Sequence, residues 1–435
     1  MVYYYFSDLS MNAAVGCIGL HVARGESTMM TEMSRSVLLN SWVACNVYVS
    51  SSQATRLMPL LRHAQQECSK YCSTASSDFP SSSVVLVHAF GDVVYNRSSF
   101  HFAGTALGVS HVASQLAIQA LHQLAKTSEE DDDDTTRNTE SGSSDHPFVG
   151  MVDHISVMPL TRLDFVSTAR LPCTSTEDEI TSDSFTAPQT DDARFEPSTP
   201  SGWAARQIGE AIHQTISNNQ LCIHYYGAAT PDNRSLAQVR RESTSFFQSG
   251  GLDNMKEEGN EERLRTPSTL LPPTEISLIG APPEFVENYN MQCRGSLASV
   301  RALTRHIRAR DGGLPGVEAL TLPYHTKTTT GTHQQETDDS TNSQTQEMLL
   351  YEVACNLLQP NMSSAKDIEE RALAWILHRK EQQPTASTVT WERGYRVGTT
   401  AGQCCDLLKH LEDGTIDRNE HDQQVEQRML EYLQK

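Results

Sequence analysis

The stretch "DHPFVGMVDHISVMPL", residues 145–160, sets His146, Asp153 and His154 around one short apolar run. Imidazole titrates nearest neutrality of all side chains, so a histidine at the mouth of a strand is suited to moving protons. Pro147 restricts His146 to extended geometry, which holds its ring at that mouth and out of a helix. A histidine that ends a polar insert can equally stand in solvent and do nothing, so the position alone leaves both readings open. Within the strand, a period of two sends Asp153 and His154 to opposite faces. Asp153 is then the candidate for a site, and His154 is expected against a helix or in solvent.

The elements around this strand form a repeating order. "WVACNVYVS" alternates Val43, Cys45, Val47 and Val49 on one face, as a half-buried strand does. An amphipathic helix over about 53–70 follows, then the strands "SVVLVHAF" and "SSFHFAG" joined by "GDVVYNR". A helix over about 107–126, with Leu116, Ala120 and Leu124 every four residues, leads to the Asp153 strand. The order is βαββαβ, which predicts a ferredoxin-like sheet with two helices on one face.

A second copy is expected from "EISLIGA" as its first strand. It continues through the helix "SLASVRALTRHIRA" with Ser296 as N-cap, the strands "GVEALTLPYH" and "LLYEVACNLL", the helix "AKDIEERALAWILHRK" and the strand "STVTWERGYRVG". A helix near 203–217, the strand "LCIHYYG" and a helix over about 234–247 lie between the copies. The expected class is α+β, with tandem ferredoxin-like (βαββαβ) subdomains and long disordered inserts. Its plan is an extension over 1–37, a first subdomain over 38–248 with inserts at 127–145 and 173–200, a linker over 249–273, a second subdomain over 274–398 with an insert at 326–347, and a polar helical tail over 399–435. The inserts are Ser-, Thr-, Asp-, Glu-, Gln- and Gly-rich and hold too few large apolar residues to offset their ordering entropy.

Composition narrows the function classes. The chain has 435 residues, 38% hydrophobic, with 18 Pro and 24 Gly, which fits two modest domains plus polar inserts. A net charge of −20 argues against nucleic acid as a partner, because phosphate binding needs a basic stripe. Much of that charge is local, in the acid run Glu129 to Asp134. Ten cysteines without a Cys-x-x-Cys pair read as reduced thiols, with no metal framework expected. No run approaches the roughly 20 apolar residues of a membrane helix. Near the start, "AAVGCIGLHVA" is followed, not preceded, by its first basic residue, Arg24, the wrong order for a signal peptide.

"HPFVGMVDHISVMPL", "FGDVVYNR", "YYGAATPDNRSLAQVRRE", "IGAPPEFVENYNMQC" and "YEVACNLLQP" occur in an order that resembles the formiminotransferase domain of formiminotransferase-cyclodeaminases. The likeness is greatest to the plant-type proteins that lack the cyclodeaminase half, and it covers about Leu39 to Gly398 outside the inserts. It implies two ferredoxin-like subdomains with a folate groove between them, a homodimer, and transfer of a formimino group from formiminoglutamate to N5 of tetrahydrofolate as co-substrate. The family's His-Pro-Arg motif supplies the catalytic base; here His146 and Pro147 match it, and Phe148 replaces the Arg.

Other site residues follow from the same resemblance. "GDVVYNR" corresponds to the family's Asp-Ala-Gly loop ending in Asn-Arg, so Asp92 is expected to orient the base or the migrating group, and Asn96 and Arg97 to engage pterin or glutamate. A hairpin turn explains Asp92 as well. Asp153, Gly227, Asn290 and Asn356 complete the folate-binding candidates, with a turn glycine and backbone-satisfying amides as the plain alternatives for the last three. Arg240, Arg241, Arg301, Arg305 and Arg308 are candidates for an anion path, or simply solvated helix faces. The family's Asp-Phe-Gly loop and its first-strand Asn-x-Ser-Glu-Gly signature are missing.

The expectation is a folate-dependent transferase moving a formimino or formyl group between a glutamate derivative and tetrahydrofolate. The alternatives are a non-catalytic folate-binding or scaffold protein on the same fold and, more remotely, an RNA-binding protein on ferredoxin-like sheets. Partners are then folate and glutamate-type small molecules and a second copy of the chain, with no nucleic acid and no membrane. The expected location is the cytoplasm, with a mitochondrion or plastid left open.

Overall fold

The computed structural model describes residues 36–74, 83–130, 150–160, 195–216, 222–243, 278–324, 349–382 and 389–434. Most of the sequence assigned to inserts, and His146 with it, lies outside the described residues.

The first unit runs β1 (Trp42–Val49), α1 (Ala54–Thr74), β2 (Val84–Asp92), β3 (Arg97–Thr105), α2 (Ala106–Glu130) and β4 (Val152–Pro159). These strands lie in the order β2-β3-β1-β4 and pair antiparallel, as a ferredoxin-like unit requires. In β1, Val43, Cys45, Val47 and Val49 are fully buried in one core cluster with Leu57, Leu61, Leu116 and Ala120 of the covering helices, but Trp42, Ala44 and Asn46 are buried on the other face, so the strand expected to be half-buried is covered on both sides.

The piece between the copies widens this sheet. Helix α3 (Pro200–Thr215) begins at an N-cap whose Thr199 side chain accepts from the Gly202 N–H, and packs on α2. Strand β5 (His224–Gly227) and helix α4 (Leu236–Ser243) follow. Strand β6 (Leu278–Ala281) then pairs parallel to both β4 and β5, giving six strands in the order β2-β3-β1-β4-β6-β5. This corrects the sequence reading, which made "EISLIGA" the opening strand of the second copy. The physical reason is that Leu278–Ala281 is buried on both faces, so it carries no alternation to show which sheet it joins.

The second unit therefore opens at β7 (Glu287–Arg294), which the sequence reading did not separate. It continues through α5 (Leu297–Ile307), β8 (Val317–Pro323), β9 (Leu350–Leu357), α6 (Ala365–Gln382) and β10 (Thr390–Val397). Its strand order, β10-β7-β9-β8, repeats that of the first unit. Ser296 is the α5 N-cap, accepting from the Ser299 N–H, as the sequence predicts.

The last residues return to the first unit. Helix α7 (Ala401–Glu412) buries Cys404, Leu407 and Leu408 against Trp42, Ala44, Val85, Ala103 and Met158, on the face of the first sheet opposite its helices. Helix α8 (Arg418–Leu433) buries Val425 and Met429, one turn apart, beside β2 and α1. It also covers the edge of β2: Arg418 donates to Val84 O at 2.9 Å and His421 Nε2 to Leu86 O at 2.9 Å. An open sheet edge invites pairing with another chain, and these side chains occupy its carbonyls. No helix among the described residues is long and apolar enough to cross a membrane.

Candidate functional site

Each sheet turns an apolar side to its helices, and the remaining faces meet. On β1 and β3 the residues that alternate with the core are Asn46, Tyr48, Ser99 and His101; β4 adds His154 and Ser156, and β5 adds Tyr226. On the second sheet, Asn288, Asn290 and Gln292 of β7 and Glu352 and Asn356 of β9 alternate with the buried Tyr289, Met291, Val353 and Cys355. The two faces touch where Tyr48 OH reaches Asn288 Oδ1 at 3.5 Å and where the Tyr95 and Tyr324 rings meet edge to face at 5.7 Å. They form two walls, one from each unit, and the space between them is the candidate groove.

The first wall is cationic and aromatic. Arg97 pairs with Asp153, which is 1% exposed. Burial lowers the Arg97 guanidinium to about 9, and the neighbouring Arg240 cation adds to this. Arg240, from α4, is lowered to about 10 by burial beside Tyr226 and Tyr48. His154 stacks on Tyr48 at 5.5 Å and shares a 2.9 Å hydrogen bond with Tyr226 OH, which donates onward to Ser156 Oγ at 3.0 Å. Burial, with Arg240 and Arg97 nearby, holds that imidazole neutral, well below its ordinary range.

Asp153 and His154 thus share this side of the sheet, which corrects the expectation of opposite faces. The β1–β4 register shifts after Tyr48–His154, so that Val49 meets Val152. Val152 and Ile155, three apart, both bury in the helix-side core. The extra residue of the bulge releases both Asp153 and His154 from that core.

The second wall is acidic and rich in amides. Glu352 is fully buried, accepts from Asn290 Nδ2 at 2.7 Å and from Tyr395 OH, and its carboxyl is pushed up to about 7. Burial is the largest cause, the Tyr395 and Asn290 hydrogen bonds oppose it, and the Asp92 carboxyl across the groove adds to it. Asn288 Nδ2 donates to Asn356 Oδ1 at 2.6 Å. Arg393 lies over the Tyr395 ring at 5.3 Å and donates to Gln292 Oε1 at 2.9 Å.

The sequence-derived candidates sort as follows. Arg97, Asp153, Asn290 and Asn356 line the groove. Asp92 is at its rim, where Oδ1 accepts from the Tyr95 N–H at 3.1 Å and burial raises its carboxyl, so it closes the hairpin turn and also faces the second wall. Asn96 is exposed, at φ 49°, and its Oδ1 accepts from the Ser52 N–H at 2.9 Å and the Ser52 hydroxyl at 3.0 Å, a latch between turn and α1 start. Gly227, at φ 61°, is a turn glycine: a Cβ there would lie 2.0 Å from Ala281 O. Arg240 reaches the groove, whereas Arg241 is exposed and Arg301, Arg305 and Arg308 lie on or beside α5, on the helix side of the second sheet.

The sequence reading passed over Tyr48, Tyr226, Glu352 and Tyr395. Glu352 sits inside a quoted motif, where a lone acid alternating with apolar residues reads as a solvent-facing strand position. Two buried atoms of the first wall, Asn46 Oδ1 and His101 Nδ1, have no hydrogen-bond partner among the described residues. Unpaired buried polar atoms are costly.

No curated protein matches the chain. The family model for the formiminotransferase domain, N-terminal subdomain, matches residues 42–281, more than half of the chain, and its last residue is the end of β6, the strand that completes the first sheet. With the order of β1 to β6 and the groove on their open face, this match places the chain in the formiminotransferase family.

Proposed function

We propose that the protein is a folate-dependent transferase that moves a formimino or formyl group between a glutamate derivative and N5 of tetrahydrofolate in the groove between its two sheets. The observation that carries this reading is the pairing of unlike walls. A pterin presents a row of N–H donors and acceptors, which suits Glu352, Asn288, Asn290 and Asn356; the glutamate parts of both substrates carry carboxylates, which suit Arg97 and Arg240. Tyr48 and Tyr395 supply flat apolar surface between these polar ends.

The proton work belongs to His146 in this reading, by the family motif that His146 and Pro147 match. N5 attacks the formimino carbon, and the tetrahedral adduct must lose a proton from N5 and deliver one to the departing glutamate nitrogen. One imidazole near its ordinary pKa can take the first and give the second. His154 does not fit that role, because its burial holds it neutral and its Nε2 is engaged by Tyr226. A homodimer completes the proposal, to be read from the sedimentation of the purified protein.

The test is to measure, on one preparation, binding of 5-formyltetrahydrofolate and turnover of formiminoglutamate with tetrahydrofolate. Binding with turnover supports the transferase. Binding without turnover of a formimino or formyl donor supports the folate-binding protein without catalysis, the reading that Phe148 in place of the family Arg favours. No binding sinks both.

A further inference from the structure

The C-terminal helices border a half-open hollow of ≈ 310 Å³ between β2, the turn after β10, α7 and α8. His101 stands between it and the groove, its ring 6.5 Å from Tyr48 on one side and 5.6 Å from His88 on the other. The register of β2 shifts between Leu86 and His88, so Val87 and His88 both open on the hollow where regular alternation would separate them.

The lining sets the polar or cationic His88, His421, Arg428, Thr399 and Gln403 among the apolar Val87 and Leu407. His88 is 9% exposed, touches the rings of His101 and Tyr432, and makes no hydrogen bond among the described residues. His421 gives its Nε2 proton to Leu86 O, which leaves Nδ1 free. Arg428 has no ion pair among the described residues, and no acid lines the hollow although the chain carries a net charge of −20. The first turn of α7 faces it through Thr399 and Gln403 and adds the positive end of the helix dipole.

We propose that this hollow binds a small oxyanion, a phosphate or carboxylate group, held by Arg428, His88, His421 and the first turn of α7, with Val87 and Leu407 against any apolar part of the ligand. Without the anion both imidazoles are neutral: burial, then Arg428, lowers His88 to about 4, and burial lowers His421. The groups facing His88 are His101 of β3 and Arg428 and Tyr432 of α8; those facing His421 are Arg418 and Arg428; α7 lines the hollow with no titratable side chain. None of these is an acid, so an entering anion is the only lining charge that favours the protonated rings, and binding takes up protons.

The experiment is calorimetric titration of the full chain with inorganic phosphate and with acetate, each against chloride at equal ionic strength. The inference predicts one saturable site with Kd of about 1 mM or tighter for at least one anion. Phosphate alone identifies a phosphoryl ligand, and acetate binding of equal strength identifies a carboxylate. Arg428 is exposed, so Arg428→Gln should fold and weaken binding roughly tenfold or more, the scale of one charged hydrogen bond. Should that variant fail to fold, the wild-type imidazole resonances of His88 and His421 must move on adding the anion. Absence of saturable binding, binding that Arg428→Gln leaves unchanged, or stationary imidazole signals would overturn the inference, whatever the groove proves to bind.

Discussion

The two βαββαβ units share one strand order and differ almost entirely on the faces they turn to each other. On the first sheet, half of that face is apolar and covered by α7, and the other half carries Tyr48, His101, His154 and the Arg97–Asp153 pair. On the second sheet the same side holds amides and one buried acid, Glu352. The core-facing residues are interchangeable apolar types in both units, so they specify architecture. The alternate residues differ in kind: an Arg97–Asp153 pair with aromatic rings on the first sheet, amides around Glu352 on the second. Under the proposed function, one wall meets carboxylates and the other meets a heterocycle.

The largest effect that would sharpen this contrast is catalytic and belongs to the first unit. His146→Ala should lower kcat by roughly 10²- to 10⁴-fold while folate affinity changes little, since a proton carrier acts in the transition state. Steady-state kinetics beside equilibrium binding reads both; a variant with full activity breaks the assignment of chemistry to the first unit. Next is Arg97→Ala, which strands a fully buried Asp153 and should cost roughly 3–5 kcal/mol of stability in denaturant titration. A loss below about 1 kcal/mol, the scale of an exposed pair, would show that this wall is wetter than its burial indicates.

The second wall should reveal itself through pH. The Glu352 carboxyl is raised from 4.5 to about 7, so the folded chain keeps a proton that the unfolded chain has released. Its contribution therefore falls as pH rises from 4.5 through 7, and above that the penalty is on the order of 3 kcal/mol. Glu352→Gln should flatten that stretch of the stability profile; a slope unchanged by the substitution would mean that Glu352 is ionised and solvated. The smallest effect is at the rim, where Asn96→Ala loses a left-handed residue and its Ser52 latch and should cost about 1–2 kcal/mol with no change in chemistry.

Much of the architecture was legible because alternation and four-residue spacing report burial directly, as in β1 and α2. What escaped has a common cause in local departures from period. The β6 run is buried on both faces and so has no phase, which hid its place in the first sheet. The bulge in β4 carries no residue type that announces it, yet it decides that His154 joins Asp153 on the groove side. The tail was legible as polar helices, but its few apolar residues, such as the buried pair Val425 and Met429, do not show which surface they pack on. Between the walls, Arg97, Asp153, Asn290, Asn356 and Glu352 all lie in motifs that the sequence displays, but the raised Glu352 carboxyl depends on burial and on Asp92 of the other unit, which no single stretch of sequence shows.

The central claim is that a reduced folate lies between these two unlike walls. A crystal structure of the protein with 5-formyltetrahydrofolate tests it most directly. The account predicts the ligand between the sheets, its pterin against Glu352, Asn288 and Asn290 and its glutamate carboxylates toward Arg97 and Arg240. Ligand bound beneath α7 and α8, on the helix side of either sheet, or nowhere at saturating concentration would contradict it.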